Sequence, residues 1–170
     1  MRPPELSTDR LVLEPLRADH AREMVHVLAD PELYAVIGGE PPTLGALRRR
    51  FEAQARGASP DGLQRWLNWI VRRRAEGDAI GFVQATVDIA DRSTDVAWVI
   101  GVPWQGRGYA VEAAGAMIEA LDGLITAHIQ PGHAASESVA RRLGMGPTDV
   151  IEDGERVWQR PPTAGRTDPV

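Results

Sequence analysis

The stretch DVAWVIGV, residues 95–102, is apolar after its first residue and stays so until Pro103. A strand with one wet face alternates, whereas one that does not alternate is covered on both faces. PWQGRG follows as a turn-forming segment. A helical pattern comes next, with apolar residues at Ala110, Ala113, Ala114, Met117, Ile118 and Leu121, and it stops at Gly123. LITAHIQ, residues 124–130, reads as a further strand. A strand, a crossover helix and a second strand place the two strands side by side and parallel. This unit requires a sheet with layers on both faces, and the remaining segments must complete that sheet.

Their patterns do so. RLVLEPL, residues 10–16, alternates as a strand. A helix with apolar positions at Ala21, Met24, Val25 and Leu28 follows and ends at Asp30-Pro31. GGEPP, residues 38–42, is a loop, and Thr43 is an N-cap for a helix carrying Leu44, Leu47 and Phe51. Residues 65–74 and 79–88 read as two strands joined by AEGD, and DRST turns into the apolar strand. After Pro131-Gly132 a helix over about 134–143 ends at Gly144. DVIEDGERVW is a hairpin with Asp153-Gly154 as a two-residue type I′ turn. The expected order is β-α-α-β-β-β-α-β-α-β-β. The expected fold is a mixed α/β sheet, mostly antiparallel with one parallel pair and helices on both faces. The expected organisation is one domain over residues 1–160 and a frayed tail over 161–170.

Composition narrows the function. A chain of 170 residues holds one sizeable core. It has no cysteine, which excludes disulfides, thiolate metal sites and cysteine nucleophiles, and no metal is expected. Its net charge of −5 argues against nucleic acid as the main partner. The apolar run Val96–Trp104 is too short to span a bilayer, and MRPPELSTDR has no apolar leader, so a cytoplasmic protein is expected. All 19 basic residues are arginine, and the runs at 48–50 and 72–74 read as solvated helix and hairpin ends.

The glycine loop carries the chemistry. The first N–H groups of a helix have no internal partners, and the helix dipole concentrates positive charge there. Gly106 and Gly108 allow a tight backbone curl without a Cβ in the way, and Arg107 adds a formal charge. These are the parts of a phosphate site, although GRG alone also fits a plain turn. A P-loop is excluded because the chain has no lysine, and a dinucleotide fingerprint because Val111 stands where the third glycine is required.

Gln105-Gly-Arg-Gly-Tyr-Ala110 resembles the Q/R-x-x-G-x-G/A signature of the GNAT superfamily of acyl-CoA-dependent N-acetyltransferases. HAASESVARRLGM, residues 133–145, is similar to the family's N-x-x-S-x-x-V-x-x-x-L-G-M segment. STDRLVLEPLRADH is similar to the opening of its ribosomal-protein-alanine-acetyltransferase-like branch. The resemblance spans about residues 5–160 and implies the GNAT fold, with the parallel pair splayed around the arm of the cofactor.

The resemblance also implies acetyl-CoA as co-substrate, a primary amine as acceptor and direct attack of that amine on the thioester. The acceptor would be a small cationic molecule or a protein N-terminus, and a homodimer is the implied assembly. Pantetheine would hydrogen-bond the backbone of Ile100 and Val102, and the pyrophosphate would meet the N–H groups of Gln105, Gly106, Arg107, Gly108, Tyr109 and Ala110. Ser136 stands at the family's serine, where a hydroxyl can protonate the departing thiolate. A serine there also reads as a helix cap. His133 replaces the usual asparagine, as a cofactor contact or a loop histidine.

Asp95 is a base candidate at the strand start, where a closing turn residue is the plainer reading. His128 titrates in the useful range and is a second base candidate; a satisfied structural histidine is the alternative. Glu40, Asn68 and Trp69 are candidate acceptor contacts, with Trp66 and Trp98 as further walls, and core packing is the competing reading for each tryptophan. A non-catalytic acyl-CoA-binding module on the same fold is the alternative function.

Overall fold

The computed structural model describes residues 2–161, except for the side chains of Val36 and Ile37. Strands β1 (Leu6–Ser7), β2 (Leu11–Pro15), β3 (Gln64–Arg73), β4 (Ala79–Asp88), β5 (Thr94–Ile100), β6 (Ile125–Ile129), β7 (Gly146–Glu152) and β8 (Glu155–Arg160) form one sheet. Its order is β1-β2-β3-β4-β5-β6-β8-β7. Helices α1 (Ala21–Val27), α2 (Tyr34–Ile37), α3 (Leu44–Gln54), α4 (Tyr109–Glu119) and α5 (Ala134–Arg142) complete the fold. This is the expected mixed α/β sheet, with β5 and β6 as its parallel pair. Most of the predicted tail lies outside the described residues.

Alternation along the strands assigns the layers. Leu67, Trp69 and Val71 of β3 pack in one cluster with Ala113, Ala114, Met117 and Ile118 of α4 and Ala140 of α5. Ile70 packs in a second with Met24 of α1 and Leu47 and Phe51 of α3. Thus α4 and α5 cover one face, and α1 and α3 the other. Each fully buried large apolar side chain contributes about 1.5–3 kcal/mol, so Trp69, Met117, Met24 and Phe51 anchor both layers.

Local signals act as read. The Thr43 hydroxyl accepts the Ala46 N–H at 3.3 Å. α5 ends with Met145 N–H donating to the Ala140 carbonyl and Gly144 N–H to that of Arg141, both at 3.0 Å, which is a Schellman closure. Several details depart from expectation, among them the short α2 between α1 and α3 and the start of β7 at Gly146, ahead of the expected hairpin at residues 149–158. β5 ends at Ile100, because Gly101 and Pro103 wind residues 102–104 into a 3₁₀ turn whose Val102 carbonyl accepts the Gln105 N–H at 3.2 Å. The two-residue β1, unmarked by any alternation, pairs Leu6 with Leu13 and Ser7 with Val12.

The parallel contact is short: only Thr94–Ile125 and Asp95–Thr126 are paired. Beyond them β5 turns to β4 and β6 to β8, and the sheet opens between β5 and β6.

Candidate functional site

That opening is a cleft between the helix layers. Around the N-termini of α4 and α5 it holds a cavity of about 420 Å³ lined by Leu33, Trp98, Val99, Ile100, Trp104 and Gln105, by Gly106, Gly108, Tyr109, Ala110 and Val111, and by His133, Ser136 and Val139. A second cavity of about 290 Å³ is lined by Phe82, Gln84, Asp95, Ala97, Trp98, Val99, His128, Gln130, His133, Ser136 and Glu155. Trp98, Val99, His133 and Ser136 border both cavities. The two chambers therefore meet at those four residues, in the split between β5 and β6.

The glycine loop forms one end of the first chamber. Gly106 and Gly108 have φ of +73° and +81°, a region that L side chains enter at a cost of roughly 1–2 kcal/mol. The N–H groups of residues 106–111 donate to no acceptor among the described residues. They crown α4 at its positive end, and a Cβ built on Gly106 would meet nothing within 4 Å. Six free donors around an open curl fit a pyrophosphate. The Arg107 side chain is not part of the lining. Gln105 turns inward instead, and its Nε2 donates to the Ile100 carbonyl at 2.9 Å, tying the loop to the end of β5. Ile100 lines the first chamber, whereas Val102 packs against the Phe51 cluster.

At the junction, Ser136 sits in the first turn of α5, yet no side chain caps that helix. Its hydroxyl makes no hydrogen bond among the described residues, so it stays available to the cleft. Glu137 does the loop's bonding instead, accepting the Gly132 N–H at 3.2 Å. Burial lowers the pKa of His133 below its ordinary value, with Glu137 opposing, and so favours a neutral imidazole facing both chambers.

The second chamber holds the titratable groups. Asp95 leaves the turn before it to Asp88 and Asp91, whose carboxylates accept the Ala90 and Ser93 N–H groups at 2.8 Å. Its own Oδ1 meets His128 Nδ1 at 2.9 Å and the Thr126 hydroxyl at 3.3 Å. On the other side of the ring, Nε2 meets Glu152 Oε2 at 3.0 Å. A ring with a carboxylate at each nitrogen favours the doubly protonated form. Burial alone would lower the His128 pKa, but Glu152 and Asp95 outweigh it and hold it above 6.5. Burial raises Asp95 above its ordinary value, with His128 and Thr126 working against the rise. Asp95 and His128 line the chamber, and Glu152 stands behind the ring.

Glu152 escapes sequence reasoning. The hairpin turn was readable, but its effect depends on β8 pairing with β6, which sets Val157 opposite His128 and brings the end of β7 within reach. Phe82 and Gln84 were missed for the same reason: β4 carries them beside β5. The three acceptor candidates are not brought to the cleft. Trp69 is buried on the α4 face, donating its Nε1 to the Pro4 carbonyl at 2.8 Å. Asn68 is buried in the middle of β3, one strand further from the cleft than Gln84. Glu40 is exposed, and neither chamber includes it. Of the tryptophans, Trp98 is the one that walls both chambers.

A mixed sheet that splits beside a helix whose N-terminal donors are free is an architecture suited to a phosphate-bearing ligand. The family model described as "Acetyltransferase (GNAT) domain" matches residues 10–146, and the chain belongs to that family. Solved structures agree in fold. The acetyltransferase from Agrobacterium tumefaciens str. C58 superposes with a TM-score of 0.73 at 22% identity, covering 94% of this chain and 95% of that one. The ribosomal L7/L12 alpha-N-protein acetyltransferase RimL in complex with coenzyme A gives 0.77 at 11% identity, covering 95% and 100%. The microcin C7 self immunity acetyltransferase MccE in complex with acetyl-CoA and AMP gives 0.74 at 13%, covering 91% and 93%. Among curated proteins none matches the chain in sequence. No helix among the described residues is long and apolar enough to cross a membrane.

Proposed function

We propose that the protein transfers an acetyl group from acetyl-CoA to a primary amine by direct attack. The observation that carries this reading is the meeting of the two chambers at Trp98, Val99, His133 and Ser136. A cofactor held by the glycine loop and an acceptor entering from the opposite chamber would touch there and nowhere else. When bound, acetyl-CoA supplies the activated thioester. The N–H groups of residues 106–110 hold its pyrophosphate, and the edge of β5 near Ile100 lies along its arm.

An acceptor ammonium must lose a proton before it attacks. Asp95 is the proposed acceptor of that proton. Its Oδ1 is engaged by His128 and Thr126, which leaves Oδ2 for the ammonium. His128 and Glu152 hold the carboxylate in place and set its charge. The Ser136 hydroxyl, free of any capping bond, gives its proton to the leaving thiolate and regains one from the attacking nitrogen as that nitrogen becomes an amide. Asp95 and Glu155 line the second chamber, and Glu152 behind the ring offsets the His128 charge, so the chamber favours a cationic amine, either a small molecule or a peptide N-terminus. The substitutions Asp95→Asn and Ser136→Ala test the assignment. Each is expected to lower kcat at least tenfold, about 1.4 kcal/mol of barrier, while the acetyl-CoA dissociation constant changes less than threefold. Unchanged turnover in both variants would remove Asp95 and Ser136 from the chemistry. Turnover absent from the wild type as well, with binding intact, would favour the non-catalytic acyl-CoA-binding module.

A further inference from the structure

The N-terminal segment STDR, singled out by sequence, has no part in either chamber, yet it is bonded to the helix that follows the glycine loop. Glu112 lies in the first turn of α4, where a carboxylate is an awkward neighbour for a bound phosphate. Every part of that carboxylate is occupied. Oε1 accepts the Thr8 hydroxyl at 2.6 Å and the Arg10 N–H at 3.0 Å. Oε2 accepts Arg10 Nε at 2.6 Å and lies 2.6 Å from Arg10 Nη2. The remaining terminal nitrogen, Nη1, donates to the carbonyl of Arg107 at 3.0 Å, between the two glycines. The guanidinium stands 4.6 Å from the centre of the Tyr109 ring. A Cβ built on Gly108 would come within 3.4 Å of Nη2.

We propose that Arg10 is a positioning residue for the acetyl-CoA pyrophosphate. It ties the loop carbonyl between Gly106 and Gly108 so that the N–H groups face the chamber, and it cancels the Glu112 charge that would otherwise repel the phosphates. This rests on the loop being the cofactor site of the proposed function. It gives the N-terminal motif a physical task, executed across about a hundred residues of sequence.

The two partners then have opposite effects on cofactor binding, which a merely structural ion pair would not produce. Arg10→Gln leaves Glu112 uncompensated and the loop untied. Glu112→Gln removes the repelling charge and leaves Arg10 on the Arg107 carbonyl. Acetyl-CoA binding is measured by titration calorimetry on the full chain, with circular dichroism as the check of folding. Arg10→Gln is expected to raise the dissociation constant about tenfold, the scale of a charge at a partly buried helix N-terminus. Glu112→Gln is expected to leave it unchanged or lower it, and the double variant to recover to within about threefold of wild type. Arg10→Lys keeps the charge without the fork and falls between. The Arg10→Gln deficit shrinks in 1 M NaCl, where the Debye length is about 3 Å.

Equal weakening by Arg10→Gln and Glu112→Gln, with no recovery in the double variant, would overturn the inference while leaving the proposed function standing. A wild-type protein that does not bind acetyl-CoA would overturn the proposed function itself, and this inference with it.

Discussion

Two glycines of the same loop–helix unit should respond in opposite ways to alanine. Gly108 precedes α4 with φ of +81° and ψ of 3°, in the left-handed region. A Cβ there costs roughly 1–2 kcal/mol of backbone strain. Its nearest neighbour, Arg10 Nη2 at 3.4 Å, is the end of a flexible side chain and adds little. The strain must appear either as lost stability or as a loop that relaxes away from its anion-binding shape. Gly115 lies inside α4, where a Cβ would meet Leu143 Cδ2 at an ordinary 3.6 Å. Alanine in a helix interior is favoured over glycine by about 1 kcal/mol. Gly115→Ala is therefore expected to raise Tm by about 2–4 °C and leave acetyl-CoA affinity within twofold. Gly108→Ala is expected to weaken acetyl-CoA binding about five- to thirtyfold if the loop relaxes, or to lower stability by about 1–2 kcal/mol if it does not. Urea denaturation and titration calorimetry on the same preparations separate the two. A Gly108→Ala protein with wild-type stability and wild-type affinity would refute the reasoning, as would a Gly115→Ala protein that loses both.

Two further predictions concern protons. Burial works against the charge of Glu14, but hydrogen bonds from Arg72 and Arg17, with His20 nearby, lower its pKa from 4.5 to about 2. A depressed carboxylate stabilises the fold above its ordinary value and loses that contribution as pH falls through about 2. The difference is on the order of 3 kcal/mol, of which about 2 is gone by pH 3. Between pH 7 and pH 3, urea denaturation should show a loss about 2 kcal/mol larger in wild type than in Glu14→Gln; equal losses would contradict it. His128 is raised, so its contribution is complete below 6.5 and fades as pH climbs through the folded value. Glu152 supports the charged ring, so Glu152→Gln should lower the imidazole midpoint, followed by NMR of the His128 ring. No change would remove Glu152 from the cluster.

Much of this architecture was readable because its signals are local. An unbroken apolar strand, a 3.6-residue stripe and a glycine loop between them state their own geometry, and Thr43 and Gly144 act where they stand. What the sequence leaves unread depends on contacts between distant segments. Alternation places Trp69 and Asn68 on opposite faces of β3, but only the folded sheet shows that neither side chain lines either chamber. Arg72 and Arg73 read as a solvated hairpin end. Arg72 instead lies between Glu14 and Glu23, and Arg73 pairs with Asp78 and Glu76. Glu76 and Asp78 are neighbours in the same hairpin, but Glu14 and Glu23 come from β2 and α1, and no spacing rule links them to Arg72. Glu152 and Glu112 were invisible for the same reason: each becomes meaningful through a distant segment, β6 for Glu152 and the β1–β2 turn for Glu112.

The most direct test of acetyl transfer across the split sheet is release of free CoA thiol from acetyl-CoA. The readout is a chromogenic disulfide, in the presence of pooled polyamines, aminoglycosides, aryl-alkyl amines and peptides with free N-termini. The chain has no cysteine, so every thiol counted comes from the cofactor. The account predicts amine-dependent release with at least one cationic pool, slowed at least tenfold by Asp95→Asn and rising with pH as the carboxylate and the amine lose their protons. Folded protein that binds acetyl-CoA and releases no thiol with any pool would contradict it.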